Sequence, residues 1–454
     1  ARWRGTEGGA LCASRLRRLH SMAREKKRKR EREASSESDD ERDGACSSED
    51  DSENEEEDLF TAVAEGNLEM LKQLHADGHT DLQVGDEEQG DRPFGVACRF
   101  GHLEMAQWIE QQGIPMDAQN HIGDTPLHEA SLHGHLAVVE WLLSKLPASA
   151  TAVATIDDML PISYAVLHGH TLVLEKLAAA GSDLMAVNAQ GHGLVHLACS
   201  EGQLDVARKL KELGVPCTTT DKLGRSPLHI AAGASHLTTA RWLAESCGLD
   251  IDTPDANGAT PLHFAAAADD LPTAQWLLGA KANPAAANSD ANTPIHYAAQ
   301  AGSTELLAAL LELGVPTSPK NADGDTPFLL ACLGGHVAVC EVFAAKGEPV
   351  DSTNAHGCSG LLQACAMGQL DAAQWLFRRA QPLLSRADAD GLTPLFHASA
   401  HGHHDVVEWL LEQGASPTKD GLQAAQEEGH SKVVKLLKKA LKSASGASSS
   451  SGAK

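Results

Sequence analysis

Short apolar segments with helical spacing recur along most of this chain, separated by turns rich in glycine, asparagine and aspartate. In one of them, Val138, Val139 and Leu142 fall on one helix face, because residues three and four apart are neighbours there. Each predicted helix has only about 8 to 11 residues, too few to persist alone in water. The pattern therefore predicts helix pairs that are stable only when they stack on neighbouring pairs.

These segments belong to a repeat with a fixed period. A proline position occurs every 33 to 35 residues from Pro93 to Pro394. Threonine or serine before the proline provides a helix N-cap, and the proline suits the first helical turn. A glycine such as Gly134 then ends the first helix, because glycine adopts the left-handed conformation at little cost. The four-residue motif occurs at Thr125–His128, Ser226–His229, Thr260–His263 and Thr293–His296, and in part at Thr326–Phe328 and Thr393–Leu395.

The period and the Thr-Pro-Leu-His-x-Ala signature resemble the ankyrin repeat. This resemblance implies an all-α ankyrin-repeat solenoid of helix-turn-helix units with hairpin-like connections. We expect the array over residues 58–441, with about ten repeats and degenerate caps, between a basic-then-acidic tail at 1–57 and a flexible Ser/Ala/Gly tail at 442–454. Extra residues around Pro147–Thr155 predict a distorted hairpin, either a partner-specific loop or sequence drift.

Composition narrows the class of protein further. Aromatic residues make up only 4% of the chain, which suits small, closely packed helices. No run of 18 apolar residues occurs, so we expect no membrane insertion. The chain begins at Ala1; Met22 could be the initiator, and the arginines of residues 1–21 are compatible with a truncated transit peptide. The ten cysteines form no Cys-x-x-Cys motif, and four share a repeat position that Ala or Ser fills elsewhere, which indicates reduced thiols and an intracellular protein.

Charge is distributed unevenly along the chain. Residues 1–30 carry 11 Lys/Arg and 2 Asp/Glu, whereas residues 31–58 carry 2 and 15. Because the whole chain has a net charge of −25, a net −21 is left on residues 59–454. Such an acidic body repels phosphate backbones, so we expect no direct binding to nucleic acid and favour basic or mixed-charge protein partners. We also expect the chain to be a monomer.

No catalytic motif is present. The chain has no phosphate-binding loop, nucleophile elbow, zinc-protease motif or dinucleotide fingerprint, so we predict a non-enzymatic protein without a cofactor. Eleven of the 23 histidines occupy two repeated positions, five in the signature and six after the helix-ending glycine. The run His401-Gly402-His403-His404 lacks clustered carboxylates or thiolates, and we predict no metal there. A metal-dependent enzyme that uses the histidines is the alternative from another class.

The resemblance implies two recognition surfaces. In ankyrin proteins the residue after the signature histidine faces the concave groove and often contacts the partner. The alternative is that these side chains pack against the adjacent repeat; packing is also our interpretation of six tryptophans that share one repeat position. The predicted groove residues are Tyr164, Leu197, Ile230, Phe264, Tyr297 and Leu330. The predicted hairpin-tip residues are Lys222, Arg225, Asp290, Asp323, Asp325 and Asp390, whose acidic members suggest a basic ligand.

The first 57 residues carry two further signals. Five basic residues, Lys26, Lys27, Arg28, Lys29 and Arg30, resemble a nuclear-import signal. Five serines precede an acidic residue by three positions, as acidophilic kinases such as casein kinase 2 prefer: Ser36, Ser38, Ser47, Ser48 and Ser52. The leading hypothesis is a scaffold or adaptor in the nucleus or cytoplasm, and the alternative is a nuclear regulator controlled by this tail.

Overall fold

The computed structural model describes residues 59–78, 81–86 and 89–450, with side chains as far as residue 443. Over these residues the regular structure is helical, and extended pairing is limited to the bridges Val187–Gly193 and Thr353–Ser359. The all-α class predicted from the sequence is confirmed. The described chain falls into two compact units, one ending at Lys222 and the other beginning at Leu223.

The first unit is a stack of helix pairs. In each pair, the first helix packs against the second helix of its own repeat and against the first helix of the next repeat. After a helical segment at 59–64, its helices are α1 (Leu68–Ala76), α2 (Pro93–Arg99), α3 (Leu103–Gln111), α4 (Pro126–Leu132), α5 (Leu136–Lys145), α6 (Pro161–Leu167), α7 (Thr171–Ala179), α8 (Leu194–Ser200) and α9 (Leu204–Glu212).

The second unit repeats the same arrangement around a core that extends from Ala232 to Leu437. Its helices are α10 (Pro227–Gly233), α11 (Leu237–Cys247), α12 (Pro261–Ala267), α13 (Leu271–Gly279), α14 (Pro294–Ala301), α15 (Thr304–Glu312), α16 (Pro327–Gly334), α17 (Val337–Ala345), α18 (Gly360–Ala366), α19 (Leu370–Arg379), α20 (Pro394–Ala400), α21 (His404–Glu412), α22 (Lys419–Glu427) and α23 (Ser431–Ser450).

Where it is present, the signature histidine caps the first helix of its repeat and ties that helix to the next repeat. In α4, the backbone N–H of Thr125 donates to Nδ1 of His128 at 3.1 Å, which completes a capping box. Because Nδ1 accepts, Nε2 carries the proton and donates to the carbonyl oxygen of Met159 at 3.2 Å. The same two bonds recur at His263 and His296, so one side chain caps a helix and joins two repeats.

The glycine–histidine junction provides a second tie between repeats. Gly101 has a φ of +76°, and Nε2 of His135 in the following repeat donates to the carbonyl oxygen of Arg99 at 2.8 Å. A Cβ atom on Gly101 would lie 2.4 Å from Nδ1 of His135. Glycine is therefore required here both by the left-handed backbone and by the close approach of the imidazole ring.

Two segments differ from the sequence-based expectation in detail. The extra residues before α6 form a 3₁₀ helix, Ala148–Ala152, that buries Ala150 and Thr151 and so packs on the unit. The last helix extends to Ser450, past the expected array end at 441, since no proline interrupts this lysine- and alanine-rich segment. None of the described helices combines the length and apolarity that crossing a membrane requires.

Candidate protein-binding surface

Three aromatic side chains stand at the position that follows the signature histidine. Tyr164 lies in the first unit, and Phe264 and Tyr297 lie in successive repeats of the second. Each ring meets the signature histidine of the preceding repeat edge to face: the centroids of Phe264 and His229 are 5.3 Å apart, and those of Tyr297 and His263 are 5.7 Å apart. All three aromatic residues are half-buried, so each presents part of its ring to solvent.

The aliphatic residues at the same repeat position are buried. Leu197 and Ile230 are 5% exposed and Leu330 is 8% exposed. These side chains are too short to extend past the neighbouring repeat, and they pack against it instead. Packing against the adjacent repeat is the alternative to partner binding at this position. We therefore leave Leu197, Ile230 and Leu330 out of the candidate surface.

Tyr297 connects the aromatic pair to the acidic turns. Its hydroxyl accepts a hydrogen bond from Nδ2 of Asn288 at 3.2 Å. Oδ1 of Asn288 in turn accepts from the backbone N–H groups of Asp290 and Asn292 at 3.1 and 2.8 Å. Partial burial raises the pKa of Tyr297, and the negative charges of Asp290 and Asp255 raise it further. The ring of Tyr297 therefore lies in a region of negative potential.

The tips of successive hairpins are joined by backbone hydrogen bonds. The N–H of Ala322 donates to the carbonyl oxygen of Asp290 at 2.8 Å, and that of Ala355 donates to Asp323 at 2.9 Å. This ladder fixes the spacing of the tips, and the side chains of Asp290 and Asp323 are exposed; Oδ1 of Asp323 lies 3.9 Å from Nε2 of His356. Asp390 is also exposed at its tip. We call Phe264, Tyr297, Asp290 and Asp323 together the acidic aromatic surface.

The remaining predicted tip residues lie in other surroundings. Asp325 is buried and its Oδ1 accepts from Nδ2 of Asn354 at 2.9 Å and Nε2 of Gln363 at 2.7 Å, so it supports the turn and offers no surface. Lys222 is exposed, and its ammonium group donates to the carbonyl oxygen of Ala189 at 2.7 Å. Arg225 is half-buried.

Sequence reasoning missed a set of polar residues that occupy the groove position and are satisfied internally. Glu129 accepts two hydrogen bonds from Arg99 of the preceding repeat, at 2.8 and 2.9 Å, and Arg99 also binds Asp91 at 2.5 Å. His397 binds the Asp388 carboxylate at 2.8 Å. Burial raises the pKa of that carboxylate, but the bond to His397 and its charge, with the backbone N–H groups of Leu392 and Asp390, together lower it below the ordinary value. A polar residue at an otherwise apolar repeat position is the signal that could have revealed these pairs.

Four histidine side chains of the first unit, His128, His133, His135 and His168, have lowered pKa values. Burial, with the positive charge of nearby Arg99 and His135, lowers the pKa of His133 to about 4. The rings of His133 and His135 stack with centroids 6.2 Å apart. No group of three or more His, Cys, Asp or Glu side chains in the described part of the chain has a geometry that could hold a metal ion.

The import and phosphorylation candidates lie outside the described residues. Lys26–Arg30 and the five serines from Ser36 to Ser52 precede residue 59, where the description begins. Both remain predictions from the sequence, and a reporter fused to residues 22–57 would test the import signal by its distribution in the cell.

Comparison with known proteins agrees with this geometry. A family model described as "Ankyrin repeats (3 copies)" matches residues 59–154. A second, "Ankyrin repeats (many copies)", matches residues 195–243, 228–278, 265–311, 295–344 and 361–411. Because these matches span more than half of its length, the chain belongs to the ankyrin-repeat family. Ankyrin repeats generally mediate protein–protein interactions and are typically not enzymes.

One similar solved structure is the ankyrin repeat domain of human ASB11. It has 25% sequence identity and a TM-score of 0.41, and the match covers 46% of this chain and 92% of that chain. The comparison with curated proteins found no match.

Proposed function

We propose that the chain is a non-catalytic adaptor whose acidic aromatic surface binds a basic segment of a partner protein. The observation that carries the proposal is the pairing of two half-exposed aromatic rings in successive repeats with exposed carboxylates on adjoining tips. Tyr297 connects the two features, since the charge of Asp290 acts directly on its hydroxyl.

The chemistry of this surface favours lysine and arginine. A cation over the face of Phe264 or Tyr297 is attracted by the ring quadrupole, typically by about 0.5–1 kcal/mol at exposed sites. The carboxylates of Asp290 and Asp323 add charge-assisted hydrogen bonds. The net charge of −25 attracts a basic segment during encounter, so we expect association to weaken as salt is added.

The proposal is tested by affinity capture with the full chain and quantitative mass spectrometry of the captured proteins. In Phe264→Glu/Tyr297→Glu we expect recovery of the partner to fall by a factor of at least about 30, because aromatic anchors of this kind contribute about 2 kcal/mol or more. Tyr164→Glu is the matched control, since it makes the same change at the equivalent position of the first unit.

Three outcomes would contradict the proposal. Recovery could be unaffected by the double variant, it could be lost equally in Tyr164→Glu, or the captured segment could be acidic. Circular dichroism of each variant separates a loss of binding from a loss of folding.

A further inference from the structure

A groove lies between the second helices of two successive repeats in the second unit. It is a shallow, open groove with a volume of about 550 Å³. It is lined by Leu237 and Arg241 of α11 and by Pro272, Gln275, Trp276, Gly279 and Ala280 of α13 and its C-cap. We call it the Trp276 groove.

The repeat that forms one wall of the groove has a glycine at a position where the other repeats have side chains. Gly279 lies 18 residues after the proline position, and the equivalent residues elsewhere are Gln111, Ser144, Ala179, Glu212, Glu245, Glu312, Ala345, Arg378 and Glu412. Neither packing nor backbone geometry requires this glycine, because a Cβ atom there would meet nothing within 4 Å and its φ is ordinary. Glycine is also a poor helix former, so helix stability does not account for it, and a longer side chain here would extend into the open space of the groove.

Trp276 differs from equivalent tryptophans in having no ring or hydrogen-bond partner among the described residues. Trp108 meets the edge of His75, Trp409 meets Phe377, and the ring of Trp375 is covered by the guanidinium of Arg379 at 3.9 Å. Nε1 of Trp375 also donates to Glu341 at 3.1 Å. The indole ring of Trp276 is half-buried and lines the groove, where the ring and its N–H could contact a ligand.

Arg241 is the one charged residue that lines the groove, and it is cationic although the chain as a whole is acidic. Arg241 and Gln275 are exposed, and within the described part of the protein neither side chain has an ion pair or hydrogen bond. None of the residues that line the groove carries a carboxylate, although the chain has a net charge of −25. The groove therefore combines an unpaired guanidinium, a carboxamide, an indole N–H and an apolar wall.

We propose that the Trp276 groove binds an acidic segment of a second protein, which inserts an apolar side chain beside Trp276 and places a carboxylate on Arg241. The planar guanidinium matches a carboxylate in bidentate geometry, and the indole accepts apolar contact. The chain's own acidic segment, residues 31–57, does not fit this description, because it contains no Leu, Ile, Val, Met or aromatic residue to insert. This site is separate from the acidic aromatic surface and takes a ligand of opposite charge.

The test uses the full chain labelled with 5-fluorotryptophan and observed by ¹⁹F NMR, with the Trp276 resonance assigned from Trp276→Phe. The probes are three peptides: Asp-Glu-Phe-Asp-Glu, its apolar-deleted form Asp-Glu-Ala-Asp-Glu, and its charge-reversed form Lys-Lys-Phe-Lys-Lys. We expect the first peptide to shift the Trp276 resonance saturably, with an affinity at least about tenfold above that of the other two.

Two variants and a matched control connect the shift to the groove. Gly279→Glu introduces the residue that four other repeats have at this position, so we expect it to fold, to fill the groove and to abolish the shift. Arg241→Gln should weaken binding by about tenfold through loss of the charge-assisted bond. Ala345→Glu makes the same carboxylate substitution at the equivalent position of another repeat and should leave the shift intact.

The inference is overturned if millimolar acidic peptide leaves the Trp276 resonance unmoved, or if the shift persists in both Gly279→Glu and Arg241→Gln. It is equally overturned if the basic peptide binds as well as the acidic one. The remaining tryptophan resonances report whether each variant is folded.

Discussion

Protonation of His128 should destabilise the first unit at mildly acidic pH. The side chain is 1% exposed, and burial lowers its pKa from the ordinary 6.5 to about 4, although hydrogen bonds to the carbonyls of Met159 and Val153 act in the opposite direction. When the unit unfolds, the imidazole regains its ordinary pKa. Between these two values the unfolded chain binds a proton that the folded unit does not, so the free energy of unfolding falls as the pH is lowered.

The size of the effect follows from the two pKa values. Each pKa unit corresponds to about 1.36 kcal/mol, so moving from pH ~7.5 to pH ~5 should lower the free energy of unfolding by about 2 kcal/mol through His128 alone. Above pH ~6.5 the contribution is constant, because the imidazole is neutral in both states. Below pH ~4 the loss stops growing, because the folded unit also binds the proton.

The assay is urea unfolding of the full chain at these two pH values, followed by circular dichroism, for the unchanged protein and for His128→Gln. Glutamine does not ionise in this range. The variant is expected to be less stable at neutral pH, since it loses the bonds to Thr125 and Met159, but its pH-dependent loss should be about 2 kcal/mol smaller. His356→Gln is the control for replacing a histidine by glutamine, because His356 is exposed in the turn before α18, whereas His128 is buried.

Parallel losses in the unchanged protein and in His128→Gln would refute the reasoning, because they would show that another group binds the proton. An equal reduction of the pH dependence in His356→Gln would refute it as well, since burial would then not be the cause.

Three further substitutions are expected to lower stability by different mechanisms, each measured as the free energy of unfolding in urea. Arg99→Met leaves the buried Glu129 carboxylate without its cation and should cost about 3 kcal/mol or more. Gly101→Ala places a methyl group against His135 at a φ of +76° and should cost more than ~1 kcal/mol. Leu310→Ala opens a cavity at a fully buried position and should cost about 3 kcal/mol.

The helices and their caps could be predicted from the sequence because they depend on local chemistry. Thr125 and Pro126 provide an N-cap and a first turn whatever the rest of the chain does, and the observed α4 begins at Pro126 as expected. The role of Gly101 in ending α2 is equally local. The close approach of the His135 ring to Gly101 could not be predicted from the sequence, because it depends on how closely the next repeat packs.

The candidate surface could be predicted only in part, because exposure depends on side-chain size and on partners far away in the chain. Phe264 and Ile230 share one repeat position, yet only the longer phenylalanine extends past its neighbour. Asp323 and Asp325 are two residues apart in one turn, but Asp325 is buried, and its carboxylate accepts a hydrogen bond from Gln363, 38 residues later in the chain. Register identifies a position in the repeat, whereas these outcomes are decided by the packing of adjacent repeats.

The stacking of repeats therefore determines the residue at some repeat positions and leaves the residue at others free to vary. The signature histidines and the helix-ending glycines make the same contacts in repeat after repeat, so they add stability but cannot distinguish partners. Tyr297 and Gly279 lie at positions where the residue varies from repeat to repeat, because stacking does not fix it. The first has an aromatic ring beside a carboxylate, and the second lies in a groove beside a guanidinium. A chain that bound one partner through one surface would need only one of these features, so the two proposals together predict an adaptor that joins two proteins of opposite charge.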